Sequence, residues 1–302
     1  MTVRRPRFLL VALLALLALA AAGCGGGAGA VPELTSLDGV AQKSSTIDSA
    51  RFEMSLELAP PGSDRRLRVG ASGGLDARAG RASLSLDLSA LAGLAAELGR
   101  SLGGAVKGDL GRPDAWKLDV IQDGGTVYIR FPLLAGQLPA GKSWIRGDAK
   151  DLSSAGAGPL NQLGPLAGAD PRGLFSFLEA VSGPIEAVGS DELRGVETSH
   201  YRTTIDVAKL TRLVPADRRR ALGGMLAQAG LAEIPLEVWI DAEQRLRKLV
   251  LAVDATPQGS GERLEASLTM ELFDYGAPLA LELPPADEVV DASALKRLSA
   301  PS

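Results

Sequence analysis

The stretch WKLDVIQDGGTVYIRF, residues 116–131, decides the fold of this chain. Apolar and polar side chains alternate on both sides of the turn Asp123-Gly124-Gly125, and the apolar positions are Trp116, Leu118, Val120, Val127, Ile129 and Phe131. Successive side chains of a strand point to opposite faces, so this period of two predicts two strands with one apolar face. An Asp-Gly turn between such runs favours a β-hairpin. The stretch therefore predicts an antiparallel hairpin that buries one side.

The same alternation recurs along most of the chain. It is found in residues 51–58, 67–71, 82–88, 143–148, 185–189, 195–206, 234–240, 246–253 and 264–273. Together with the first hairpin, these runs predict about eleven strands. Because most strands follow one another through short turns, we expect a mainly antiparallel sheet.

Four other segments have helical rather than strand periodicity. Residues 89–106 carry an apolar stripe, Leu91, Leu94, Leu98 and Leu102. A second helix is expected to begin at Asp170-Pro171 and to end before Gly183-Pro184, because Asp caps helices and Pro suits their first turn. Its stripe is Leu174, Phe175, Leu178 and Val181. Residues 207–213 and 215–229 are the remaining helical segments, so the predicted class is α+β.

The N-terminus, MTVRRPRFLLVALLALLALAAAGC, has the pattern of an export signal. Three arginines precede an apolar run that ends in small residues before Cys24, the only cysteine. The ending resembles a bacterial lipobox, although Ala21 stands where Leu is usual; a plain secretory signal with an incidental cysteine is the alternative. We expect a signal peptide over 1–23, a lipidated Cys24 with a glycine-rich tether over 24–32, and a single domain over 33–302. The chain would then be anchored to the extracytoplasmic face of the cell membrane.

The segment GQLPAGKS, residues 136–143, matches the phosphate-binding loop G-x-x-x-x-G-K-[ST]. A working loop of this kind opens a helix, whose N-terminus faces the phosphates. Here the following residues, SWIRGD, read as a strand, and Pro139 removes one backbone N–H donor. We interpret the segment as the connection between two antiparallel strands and expect no nucleotide.

No other pattern indicates a catalytic or metal site. His200 is the only histidine and lies in the polar run ETSHYRT, so we expect it to face solvent and exclude a common zinc site. No pair of carboxylates stands out. The formal net charge is −4, and Arg218, Arg219 and Arg220 are interpreted as a solvated helix face rather than a nucleic-acid contact. The three tryptophans lie in strand segments and are expected in the core. We therefore expect neither an enzyme nor a cofactor.

The chain resembles the actinobacterial lipoproteins of the LppX/LprA/LprF/LprG group, which share the fold of the LolA and LolB lipoprotein carriers. The resemblance spans most of the chain after the signal and is carried by four stretches. They are VYIRFPLLAGQLPAGKSWIRGD (127–148), GVETSHYRTTIDVAKL (195–210), IPLEVWIDAEQRLRKLVL (234–251) and ELFDYGAPLALELPPADEVVD (271–291). These stretches are structural hairpins and not site residues, so they specify a fold more closely than a ligand.

The resemblance implies a strongly curved antiparallel half-barrel with helices over its concave face. In the family, an apolar cavity between the two takes acyl chains of lipids or lipoglycans, which the protein moves or presents in the envelope. The implied partners are a lipid or glycolipid, the membrane through the anchor and, left open, an envelope export protein. The hypothesis for this chain is that Leu91, Leu94, Leu98, Leu102, Leu174, Phe175 and Leu178 face the cavity; ordinary core packing is the alternative. Two other functions remain open: a scaffold or regulator with a filled core, and a carboxylate hydrolase.

Overall fold

The structure is a computed structural model. It describes residues 31–59, 66–93, 112–148, 175–214, 229–256 and 263–294, with short pieces at 219–220, 223–224 and 226–227. The predicted signal peptide and Cys24 lie outside the described residues. So do residues 94–106 and 170–174 of two predicted helical segments, and about half of the segment 215–229.

The described chain forms one open sheet of twelve strands. The strands are β1 (Ser49–Ala59), β2 (Leu67–Asp76), β3 (Arg81–Asp87), β4 (Lys117–Asp123), β5 (Thr126–Arg130), β6 (Trp144–Gly147), β7 (Glu186–Leu193), β8 (Val196–Asp206), β9 (Glu233–Asp241), β10 (Leu246–Ala255), β11 (Leu264–Phe273) and β12 (Val289–Asp291). Their order across the sheet is β12-β6-β5-β4-β3-β2-β1-β11-β10-β9-β8-β7. The sheet is curved, and its edge strands β12 and β7 do not meet, so the predicted half-barrel class is confirmed.

Eleven of these strands correspond to the predicted runs, and all of their pairings with one another are antiparallel. In the hairpin that opened the prediction, Asp123 pairs with Thr126, and Gly124 takes a left-handed φ of 58° that suits glycine. Trp116 itself ends a short 3-10 helix, Pro113–Trp116, just before β4. The hairpin prediction is therefore confirmed with a boundary shift of one residue.

The twelfth strand, β12, was not predicted. It pairs in parallel with β6, with Val289 opposite Trp144. The end of the segment 136–143, which matches the phosphate-binding pattern, contacts the residues just before β12. The Lys142 ammonium donates to the Asp287 carbonyl at 2.8 Å, and the Ser143 hydroxyl donates to the Glu288 carboxylate at 2.6 Å. The loop joins β5 to β6, as predicted, and a strand follows it.

The described helices lie on one face of the sheet, called here the inner face. They are α1 (Asp38–Ser45), α2 (Ser176–Glu179) and α3 (Val207–Leu213). The Asp206 side chain caps α3 by accepting from the Lys209 backbone N–H at 2.8 Å. The predicted segment 207–213 is therefore confirmed, whereas α1 was not predicted. The helix α2 ends at Glu179, before the predicted stop at Gly183.

The core lies between these helices and the inner face. Val40 of α1, Leu178 of α2 and Leu210 of α3 belong to the same buried cluster as Phe52 and Leu272 of the central strands. Trp116 also belongs to it.

The two other tryptophans are buried, but on the opposite, outer face, so the expectation that they lie in the core is wrong for them. Trp144 and Trp239 are only 6% and 8% exposed. They alternate with core residues along β6 and β9, and both lie outside the core cluster. The guanidinium of Arg130 covers the Trp144 ring at 5.0 Å, and the Lys248 ammonium covers the Trp239 ring at 4.6 Å. A cation over the face of each ring is attracted by its π electrons.

Candidate functional site

The four central strands β2, β1, β11 and β10 continue past the packed core at one end of the sheet. We call this the distal end; it is the end at which β1 finishes at Ala59 and β2 begins at Leu67. Their inner-face side chains here are hydrocarbon and half-buried rather than buried. These side chains form the distal patch: Leu56, Leu58, Leu67, Val69, Leu251, Val253, Ala266 and Leu268.

The strand register arranges the distal patch in two rows. Leu56 lies opposite Val69 on one side and Leu268 on the other, and Leu268 lies opposite Leu251. The next row, toward the rim, is Leu67, Leu58, Ala266 and Val253. Neighbouring strands are about 4.8 Å apart, so each row presents a continuous apolar surface about 14 Å wide.

Burial falls off along the strands from the core toward the rim. Phe52, Leu272 and Met270 are 2%, 2% and 0% exposed, which marks the packed core. Met54 is half-buried and still packs against that core. Leu56 and Leu58, one and two rows farther, are half-buried and lie outside the core cluster. Val69, Leu251 and Val253 of the distal patch are half-buried and still pack against the core. The inner face thus remains apolar toward the rim, where side chains are less buried than in the core.

The outer face of the same strand ends carries three ion pairs. Arg66 pairs with Glu265 at 3.3 Å, Arg68 with Glu57 at 3.7 Å, and Arg263 with Asp254. The hydrogen bond from the Arg263 guanidinium is the main reason that the pKa of Asp254 is lowered. The distal end is therefore amphipathic, with hydrocarbon on its inner face and ion pairs on its outer face.

The distal patch suits the binding of hydrocarbon and not bond-making chemistry. Its eight side chains carry no nucleophile, acid, base or metal ligand. Within the described ranges, no group of three or more His, Cys, Asp or Glu side chains is arranged to hold a metal ion. Covering partly exposed apolar side chains with another apolar surface is favourable, because it removes both surfaces from water. An alkyl chain is such a surface.

Three of the residues predicted to face the cavity are described, and none of them belongs to the distal patch. Phe175 and Leu178 are 2% and 1% exposed in the core cluster, and Leu91 is half-buried against that cluster. Leu94, Leu98, Leu102 and Leu174 lie outside the described residues. The hypothesis that the set lines a cavity stays a prediction. The sequence did not indicate the distal patch as a site, although its alternating pattern predicted the strands that carry Leu58 and Leu268.

Concave regions also occur on the outer face, and their linings mix charged and apolar side chains. One, of about 520 Å³, has a floor of small side chains including Ser55 and Ser72, and charged walls that include Glu53, Glu271 and Lys117. A neighbouring one, of about 640 Å³, lies beside Trp144 under the extended segment 279–281. The charged walls of the first region do not favour an alkyl chain, because covering them removes water from charges. The second region has more apolar lining, including Phe273 and Leu279.

The prediction that His200 faces solvent is wrong. Its side chain is only 12% exposed. The ring stacks on Trp239 at 4.0 Å between centroids, and Nε2 lies 2.8 Å from the Glu237 carboxylate. Asp191 accepts from the Trp239 indole N–H at 2.7 Å and so ties β7 to the same cluster. The histidine packs the β7–β8 hairpin onto β9, and the run ETSHYRT gave no sign of its aromatic neighbour.

The basic run behaves as interpreted where it is described. Arg219 and Arg220 are exposed, and Arg219 donates to the Arg212 carbonyl at 3.0 Å; Arg218 lies outside the described residues. Among the described helices, none is long and apolar enough to cross a membrane.

Comparison with known proteins gives a partial sequence relative and similar solved structures. A search of family models found no match. An "Uncharacterized 31.2 kDa protein in rplA-rplJ intergenic region" of Streptomyces griseus is 31% identical over 156 residues, which is 50% of this chain and 48% of that protein. The chain thus spans about half the length of the curated relative that it matches.

Two solved lipoproteins are also similar. LppX of Mycobacterium tuberculosis has a TM-score of 0.39 and 14% identity, covering 80% of this chain and 92% of its own. LprF of Mycobacterium bovis has a TM-score of 0.42 and 16% identity, covering 82% of this chain and 94% of its own. Both names occur in the group that the sequence resembles. At such identities the likeness concerns the fold alone, and the fold itself rests on the strand order and register given above.

Proposed function

We propose that this chain is a membrane-anchored, non-enzymatic lipoprotein that holds acyl chains of a lipid or glycolipid and carries or presents that lipid in the cell envelope. The observation that carries the proposal is the distal patch, a hydrocarbon surface four strands wide whose side chains are only partly buried. The proposed organisation is a signal peptide over 1–23, lipidation at Cys24, a tether over 24–32 and one lipid-binding domain over 33–302.

The energetics support acyl chains as the ligand. Each CH₂ moved from water to an apolar surface contributes about 0.8 kcal/mol, so a lipid leaves a bilayer only if a protein offers comparable apolar cover. Aliphatic side chains such as Leu56 and Leu268 provide this cover without fixing the geometry of a flexible chain. The leucines of the predicted cavity set would complete the enclosure from the helical side.

The direct test is native mass spectrometry of the chain, followed by extraction of whatever is bound. A bound species of lipid mass, displaced by added phospholipid or glycolipid, is the expected result. A mass equal to the bare chain, with no uptake of added lipid, would favour the alternative of a scaffold or regulator with a filled core.

A matched pair of substitutions links the binding to the distal patch. Leu268→Gln places an amide on the inner face and should lower lipid occupancy about tenfold, because an unpaired polar group then meets hydrocarbon. Ser267→Gln puts the same side chain on the outer face of the same strand and should leave occupancy unchanged. Equal occupancy in the two variants would remove the distal patch from the proposal.

A further inference from the structure

The partly buried surface around the distal patch is bounded by buried side chains on three of its four sides. Toward the packed core it ends at Phe52 of β1. On the β3 side it ends at Leu86, which lies opposite Ala71, and on the β9 side it ends at Leu236, which lies opposite Leu251. None of these three boundary side chains is more than 3% exposed. Because protein already covers them, an alkyl chain on the inner face cannot extend over them.

The fourth side, the rim, is where the strands end. Strand β1 finishes at Ala59 and β2 begins at Leu67, while β10 finishes at Ala255 and β11 begins at Leu264. Within the plane of the sheet, the rim is therefore the open side. A polar headgroup stays in water, because burying it without partners is costly. An acyl chain on this surface thus runs along the strands, with its headgroup at the rim and its methyl end toward Phe52.

The depth of this surface differs between its two halves. Over β10 and β11 the wall comes after two rows, because Met270, the next inner-face residue after Leu268, is 0% exposed. Over β1 and β2 a third row, Met54 opposite Ala71, is still half-buried, and the wall is Phe52. We call these three rows the β1–β2 lane. Its side chains are Leu58, Leu67, Leu56, Val69, Met54 and Ala71.

The length of the β1–β2 lane sets the length of chain that it can cover. Successive rows are two residues apart, so three rows extend for about 20 Å. An extended alkyl chain advances about 1.25 Å per carbon, given C–C bonds of about 1.5 Å and bond angles near 111°, so about 16 carbons fill the lane. A CH₂ group inside the lane leaves water and adds to the affinity, whereas one beyond the rim stays in water and adds nothing.

We propose that the β1–β2 lane holds one acyl chain, with its methyl end at Phe52 and its headgroup at the rim, and covers about 16 of its carbons. This inference rests on the proposed function and adds the direction of entry and a limit on chain length. Met54 lines the last third of the lane. Affinity for a lipid therefore rises with chain length until the lane is full and then stays constant.

The test is a chain-length series with one headgroup. The full chain is titrated with n-alkylphosphocholines of 10, 12, 14, 16, 18 and 20 carbons, each below its micelle-forming concentration, and displacement of N-phenyl-1-naphthylamine fluorescence gives each Kd. The inference predicts that each added pair of carbons strengthens binding about tenfold up to 16 carbons. From 16 to 20 carbons, Kd should change less than about twofold in total. A steady gain through 20 carbons would overturn the inference.

A matched pair of substitutions assigns the limit to the lane. Met54→Trp fills the last row with an indole and should move the break in the series to about 11 carbons, the length of two rows. Ser55→Trp puts the same side chain on the outer face of β1, in the concave region of about 520 Å³, and should leave the break at 16 carbons. A break that Met54→Trp does not move, or that both variants move equally, would contradict the lane. Failure of every chain length to bind the unaltered protein would instead contradict the proposed function.

Discussion

The carboxylate of Asp241 is completely buried, and it holds two arginines at the start of the β9–β10 turn. It accepts from the Arg247 Nε at 2.7 Å and from the Arg245 Nε at 2.9 Å. It also accepts from the Arg245 backbone N–H at 2.9 Å. Both guanidinium groups lie over the ring of Tyr275, at 4.4 Å and 5.1 Å. One side chain therefore closes the turn and fixes a cation–aromatic stack beside it.

Asp241→Asn should destabilise the fold strongly. The neutral amide leaves two partly buried arginines without their counter-charge, and breaking such a buried pair costs about 3 kcal/mol. Urea denaturation is the measurement. The matched control is Asp254→Asn, whose pair with Arg263 is exposed and whose loss should leave the urea midpoint unchanged. Equal midpoints for the two variants would show that the Asp241 cluster is not a stabilising centre.

The same residue predicts a pH dependence of stability. Burial alone would raise the pKa of Asp241, but hydrogen bonds from Arg245 and Arg247 outweigh it, so the pKa is lowered. A lowered pKa gives stability that is complete above the ordinary value of about 3.9 and is lost as the pH falls through the folded-state pKa. The gap in unfolding free energy between the wild type and Asp241→Asn should therefore shrink below about pH 4. A gap that stays constant from pH 7 to pH 3 would contradict this assignment.

Strand β2 contains a glycine, Gly73, whose side-chain position is already filled by neighbouring atoms. A Cβ on Gly73 would lie 2.1 Å from the Ser83 carbonyl oxygen and 2.5 Å from Cζ of Phe52. The Phe52 ring is buried in the core, and the carbonyl belongs to the neighbouring strand β3, so neither atom has free space to move into. The packing around Gly73 therefore leaves room for a hydrogen atom but not for a methyl group.

Gly73→Ala should therefore lower the unfolding free energy by about 3 kcal/mol, because overpacking forces a strand and a core ring apart. Gly70→Ala is the control on the same strand, since a Cβ there meets nothing within 4 Å. It should change stability by no more than about 0.5 kcal/mol. Thermal unfolding compares the two, and a Gly73→Ala variant as stable as Gly70→Ala would contradict the packing described for β2.

The elements that the sequence did not predict are those with no local signal. Helix α1 has the sequence DGVAQKSS, with Val40 and Ala41 as its only buried apolar side chains. Its position is fixed by a distant contact, in which the Ser44 hydroxyl accepts from the Leu246 backbone N–H at 3.0 Å. Strand β12 is three residues long and exists through its pairing with β6. Period-two patterns, in contrast, revealed every longer strand, because one buried face leaves its mark on each.

The single sheet of the molecule provides the stable core along one part of its strands and the candidate site along another. Around Phe52 and Met270 its inner face is closed by α1–α3, and this part provides the stability. At Leu56 and Leu268 the same face continues without full cover, and this part provides the candidate site. The sequence predicted the alternation through both parts but not the boundary between them, because a strand has the same pattern whether a helix covers it or not. The boundary depends on tertiary packing.

The central claim is that acyl chains lie on the distal patch of the inner face. The measurement that tests it most directly is photo-crosslinking with a phospholipid that carries a diazirine near the end of one acyl chain, followed by peptide mapping. The account predicts labels on strands β1, β2, β10 and β11 at their distal ends, in peptides that contain Leu56, Leu67, Leu251 or Leu268. Labels confined to the outer face around Trp144 and residues 279–281, or no label above background, would contradict it.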